Sequence, residues 1–107
     1  MINGPRSPAE ALGWIKEALR EGRYARTKHL LDRMSDRGVS LLDVTTAIRR
    51  AARAEPYAEP PLHGGTCWRV HGQDLDGRRL AVGVEAYLSE DGRWAILCTV
   101  IELKKGR

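Results

Sequence analysis

Two cysteines in 107 residues leave no material for a disulfide framework. Neither Cys67 nor Cys98 belongs to a C-x-x-C pair, and no histidine stands at ligand spacing from either, so zinc-finger and dithiol redox motifs are excluded. Both lie in apolar, strand-like runs, where cysteine behaves as a small hydrophobe, and two free thiols in a reducing, cytoplasmic compartment are expected. A bridge between them needs directly paired strands. No apolar run approaches the ~20 residues of a membrane-spanning helix. The opening stretch MINGPRSPAE has no apolar segment behind its charge, so no secretory signal is expected. G-x-S-x-G, the P-loop, G-x-G-x-x-G and H-E-x-x-H are all missing, which removes the enzyme classes they serve. Asp74-Leu75-Asp76-Gly77 lacks the later ligands of a calcium loop. No cofactor and no metal are expected.

What is present is the composition of a folded chain, 42% hydrophobic and 30% charged, with the length of a single domain spanning 1–107. Net charge is +4, and all of the excess falls in residues 1–55. Arginine outnumbers lysine fourteen to four. The guanidinium fork suits phosphate, so RNA is a candidate partner; a G- and C-rich genome produces the same bias with no function attached.

The helices carry their own punctuation. Ser7-Pro8-Ala9-Glu10 is a capping-box start with proline in the first turn, followed by Leu12, Ile15 and Leu19 at helical spacing and a stop at Gly22. Residues 23–28 form a basic connector that can run extended at an edge. A second helix starts near Thr27 and closes at Gly38. Ser40-Leu41-Leu42-Asp43 opens a third, amphipathic through Leu41, Val44, Ala47, Ile48 and Ala51, which must end by Glu55 because proline follows. Residues 55–65 are a loop rich in proline and glycine. The period then changes to two: strands are expected over Thr66–His71, Arg79–Leu88 and Trp94–Leu103, with turns at 72–77 and 89–92. The fold class is therefore α+β, with N-terminal helices packed on one face of a C-terminal antiparallel sheet of three to four strands, the second of the three central.

Two constellations point to chemistry. His29, Arg33 and Arg37 recur every four residues along one side of the second helix, as an anion-binding stripe would. The bland alternative is a solvated face neutralised by Asp32 and Asp36. On the sheet, if Leu80, Val82, Val84 and Ala86 face the helices, Arg69, His71, Glu85 and Tyr87 share the opposite face. A carboxylate, an imidazole, a guanidinium and a phenol are the set that metal-free RNA cleavage uses. A one-residue slip in register would reverse the faces. Lys104 and Lys105, in the basic tail 104–107, are further candidates for a phosphate backbone, or simply a solvated terminus. His63-Gly64-Gly65 in the loop is a weak phosphate-cradle pattern.

His29-x-x-x-Arg33-Met34-x-x-Arg37-Gly38-Val39-Ser40-x-x-Asp43-Val44 with Ala47-Ile48, and later Gly65-Thr66, Asp76-Gly77-Arg78-Arg79-Leu80-x-Val82 and Thr99-Val100, resembles the bacterial domain of unknown function four-two-five-eight family. The likeness covers residues 24–103, with 1–22 as a helical addition in front. It implies a small α+β domain grouped loosely with RelE-like and barnase-like toxins, many of which cleave RNA without metal and are silenced by an antitoxin partner. Their catalytic residues find no residue-by-residue match here. The expected function is thus a metal-independent endoribonuclease toxin; the alternative is a non-catalytic module that binds protein or nucleic acid through its basic helical face.

Overall fold

The computed structural model describes residues 3–103, so Lys104 and Lys105 lie outside the described residues. Ser7 accepts a hydrogen bond from the Glu10 amide and starts α1 (Pro8–Arg20). Chain reversal there leads into β1 (Tyr24–Arg26), and Thr27 caps α2 (Lys28–Arg37), which ends on Gly38 in the left-handed conformation, φ 62°. Ser40 and Asp43 form a reciprocal capping box at the head of α3 (Leu41–Arg49). Four strands follow: β2 (Arg53–Pro56), β3 (Thr66–Gln73), β4 (Arg79–Ser89) and β5 (Gly92–Glu102).

The sheet is five-stranded, in the order β1-β5-β4-β3-β2. β4 is central, as its position in the meander predicts, and the fold is α+β. Two short strands extend the expected sheet. β1 pairs parallel with β5, and β2 runs antiparallel to β3. The third helix thus stops at Arg49, well before Pro56, and residues 53–56 are sheet instead of helix end or loop.

Leu80, Val82, Val84 and Ala86 of β4 join Trp68 and Val70 of β3 in the core. α1 and α3 cover this face, with Ala11, Trp14, Ile15, Ala18 and Leu19 of α1 in the same apolar cluster as Val44, Ala47 and Ile48 of α3. Gly72 lets α3 come close: a methyl group there would sit 1.9 Å from the Ala47 carbonyl oxygen. α2 packs against β5, next in the chain after β1, and inserts Leu30 into the core.

β5 does not alternate simply. Its register against β4 passes from Gly83↔Thr99 to Val84↔Leu97, leaving Cys98 as a bulge. Ala95 and Leu97 before the bulge and Val100 after it all reach the core. Cys98 and Thr99 are both left at the opposite face. Cys67 lies on β3, with β4 between it and β5. Two strand spacings amount to ~10 Å, too far for a disulfide, and both thiols are free.

A buried ion pair ties the sheet to the helices. Asp74 is fully buried and accepts from the amides of Asp76 and Arg78 and from Arg78 Nε at 2.9 Å. The same guanidinium donates to the Gly38 carbonyl at 3.2 Å and to Asp43 at 3.1 Å. The turn that reads from sequence as a failed calcium loop is therefore a clamp. It joins the β3–β4 turn to the α2–α3 turn, bringing together Gly38, Asp43 and Arg78 from the two motif segments described above.

Candidate functional site: a basic groove across the open sheet face

The face away from α1 and α3 carries Cys67, Arg69 and His71 of β3 and Ala81, Gly83, Glu85 and Tyr87 of β4. The four residues singled out as a cleavage set do share this face, but they do not converge. Paired positions run Cys67↔Glu85, Arg69↔Gly83 and His71↔Ala81, so His71 and Tyr87 stand six residues apart along the strands, ~20 Å. Tyr57, from the loop after β2, lies across Gly83 in the gap between them.

Glu85 is 2% exposed and capped by that loop. Its carboxylate accepts from the amides of Leu62 (3.0 Å), His63 (2.8 Å) and Gly65 (3.1 Å), and pairs with His63 Nδ1 at 3.1 Å. Burial pushes its pKa up, but these hydrogen bonds outweigh burial and hold it below the ordinary value. A carboxylate so engaged is neither an acid with a proton to give nor a base with a free lone pair. Tyr87 stacks on His63, ring centroids 4.9 Å apart. Glu85 and Tyr87 therefore fasten the loop to the sheet. That use replaces the catalytic roles expected of them, and the reason is that proline-rich residues 57–65 fold back over this end of the face.

At the other end Arg69 and His71 remain open to chemistry. His71 Nε2 lies 2.6 Å from Glu55 Oε2 on β2. The His71 hydrogen bond lowers the Glu55 pKa, against a smaller opposing effect of burial, with Arg53 and Arg69 adding to the lowering. The Arg69 guanidinium lies 4.6 Å over the Tyr57 ring, which fixes its direction.

α2 supplies the facing wall. His29, Arg33 and Arg37 line a cavity of about 240 Å³ together with Tyr57, Arg69 and Thr99. Arg33 Nε is 3.5 Å from His29 Nε2, so the two point the same way. Among the described residues no acid, Asp32 and Asp36 included, lies within ion-pair distance of Arg33, Arg37 or Arg69, although Glu55 faces Arg69 across the strands. The helix stripe and the sheet, which the sequence offers as separate features, are the two walls of one groove.

Sequence reasoning misses Tyr57, Glu55 and Thr99. The alternation Arg53-Ala54-Glu55 is the signal that would have placed Glu55 beside His71; Tyr57 and the bulge at Cys98 leave no such trace.

The thiols are poor nucleophiles. Burial raises the Cys67 pKa to about 11 and also raises that of Cys98. Among the described residues no cluster of His, Cys, Asp and Glu could hold a metal ion, and no helix is long and apolar enough to cross a membrane. No family model, no curated protein and no solved structure matches the chain.

Proposed function

We propose that this domain binds the phosphate backbone of single-stranded RNA in the groove between α2 and the open sheet face. The observation that supports it is the meeting of Arg33 and Arg37 with Arg69 across one cavity, with no acid within ion-pair distance of any of them among the described residues. Arg33 and Arg37, with no acid at ion-pair distance among the described residues, and Arg69, which faces Glu55 across the strands, together make the concave site cationic enough to attract a polyanion, and counterion release drives its binding. RNA is preferred to duplex DNA because the cationic site is a small concave groove of about 240 Å³ that suits a single strand, and because the family this sequence resembles is grouped loosely with toxins, many of which cleave RNA. Such a target puts the protein in the cytoplasm.

The test is fluorescence anisotropy with a short single-stranded RNA over a salt series. Each phosphate neutralised contributes about −0.7 to the slope of log K on log salt, so three arginines give roughly −2. A flat salt response sinks this reading and points to a protein partner, such as an antitoxin.

A second reading, metal-free cleavage of that RNA, is favoured by the Glu55–His71 pair beside Arg69. The 2′-hydroxyl attacks phosphorus and the P–O5′ bond breaks, giving a 2′,3′-cyclic phosphate and a 5′-hydroxyl. His71, polarised by Glu55, takes the 2′ proton, a solvent water protonates O5′ and the hydroxide so formed takes the proton back from the imidazolium, and Arg69 stabilises the phosphorane. His71→Ala and Glu55→Gln should abolish cleavage in chelator and relieve growth arrest in a bacterial host, with RNA affinity kept. Undiminished cleavage by both variants removes this assignment.

A further inference from the structure

The groove continues into a second cavity of about 320 Å³ under the loop that caps Glu85. His29, Tyr57 and Thr99 line both. The two cavities differ in chemistry. The first is ringed by guanidiniums. The second is walled by Cys67, Ile96 and Cys98 from the sheet and by Pro60, Leu62 and His63 from the loop. Among the described residues no arginine or lysine reaches it. Its charged groups are the exposed Glu59 and the saturated Glu85, so it repels phosphate. The thiols are protonated at neutral pH, which keeps the sheet-side wall apolar.

From this juxtaposition we infer that the second cavity holds one nucleobase of the bound strand, unstacked from its neighbours, while the adjoining phosphates lie on Arg33, Arg37 and Arg69. The inference rests on the RNA-binding reading and adds a base-recognition site to it. Its size is at the low end of small-ligand cavities, about 300–1,000 Å³, enough for one aromatic ring system with its exocyclic groups. A nucleotide is the unit that joins an uncharged planar ring to an anion, and an apolar slot next to a cationic groove matches both halves. The Thr99 hydroxyl, half-buried where the cavities meet, lies within reach of a base edge or a ribose.

Three RNA hexamers test it: a base-bearing one, a fully abasic one, and an abasic one with a single internal base. Base-bearing and single-base strands should bind at least about tenfold more tightly than the abasic strand. Filling the cavity with Cys67→Leu and Cys98→Leu should erase that advantage and leave abasic affinity and salt slope unchanged. Where the double variant does not fold, Cys67→Met alone carries the comparison. Equal affinity for all three strands, with the salt slope intact, overturns the base site and leaves the groove standing. Failure of every strand to bind overturns both.

Discussion

The two faces of the sheet are made from alternate residues of the same strands, yet they treat charge in opposite ways. Beneath α1 and α3, Trp68, Val70, Val82 and Val84 pack without a charged neighbour until the rim, where Asp74 is buried and matched by Arg78. The open face carries Arg69, His71 and Glu85 among Gly83, Cys98 and Thr99. Its buried acid is satisfied by three amides and an imidazole; its arginines have no acid at ion-pair distance among the described residues. A chain that secures its buried carboxylates and leaves a row of cations free has separated the charges that hold the fold from those available to a ligand. Substitutions on the core side and at its rim should therefore change stability, and those in the groove should change binding.

The sharpest break comes at the rim. Asp74→Ala leaves Arg78 facing Asp43 and Glu102 alone and strands the amides of Asp76 and Arg78. Removing one partner of a buried pair costs more than the pair contributes, so the melting temperature should fall by on the order of 20 °C or more. Next is Gly72→Ala on the core face. Its methyl meets backbone, the Ala47 carbonyl at 1.9 Å and its carbon at 2.7 Å, and α3 must shift, at a cost of about 3 kcal/mol or more in denaturant unfolding.

Glu85→Gln keeps the shape but turns an amide group toward backbone donors, and should cost about 2 kcal/mol. It also tests the pH dependence. Asp74, Glu85 and Glu55 all have lowered pKa values in the fold; for Asp74 the Arg78 contacts overcome burial. Groups depressed on folding contribute stability above their unfolded pKa, near 4, and lose it as pH falls through the folded value. Stability should hold from neutrality to about pH 5 and then decline, with a shallower decline in Glu85→Gln than in the wild type. An identical acid limb in both proteins would contradict the assignment. Gly83→Ala comes lower, at about 1 kcal/mol, because its methyl meets the ends of side chains, Thr99 Cγ2 at 2.8 Å and the Tyr57 ring at 3.0 Å, and these can move. The same movement displaces Tyr57 from under Arg69, so RNA affinity should fall more than stability does.

Local signals explain what was readable in advance. Ser7, Thr27 and Ser40 cap helices where their spacing says they should, and the period-two pattern of Leu80, Val82, Val84 and Ala86 fixes which side of β4 joins the apolar core. From that alone Arg69, His71, Glu85 and Tyr87 fall on one face. What stays hidden is decided by contacts distant in sequence. β1 is three residues long, too short for a pattern, and the brief alternation of four-residue β2 stops at Pro56; both are strands because β5 and β3 offer them edges. Glu85 reads as a catalytic carboxylate until a loop more than twenty residues upstream closes on it. The bulge at Cys98 shifts the phase of β5 without any glycine or proline to mark it.

The smallest effect on stability is also the most telling for function. Arg33 and Arg37 are exposed on α2 and make no ion pair among the described residues, so Arg33→Ala and Arg37→Ala should each change unfolding free energy by no more than about 0.5 kcal/mol. Alanine favours the helix, which offsets part of any loss of side-chain packing. Each should nevertheless weaken RNA binding and reduce the salt slope by one phosphate's worth, about 0.7. Arg49, equally cationic but on α3 and lining a cavity with Lys16 and Arg20 on the helical side, is the control: Arg49→Ala should leave both affinity and slope alone. If Arg49→Ala weakens binding as much as Arg33→Ala does, the strand is held by diffuse positive charge, and the open face of the sheet has no special claim on it.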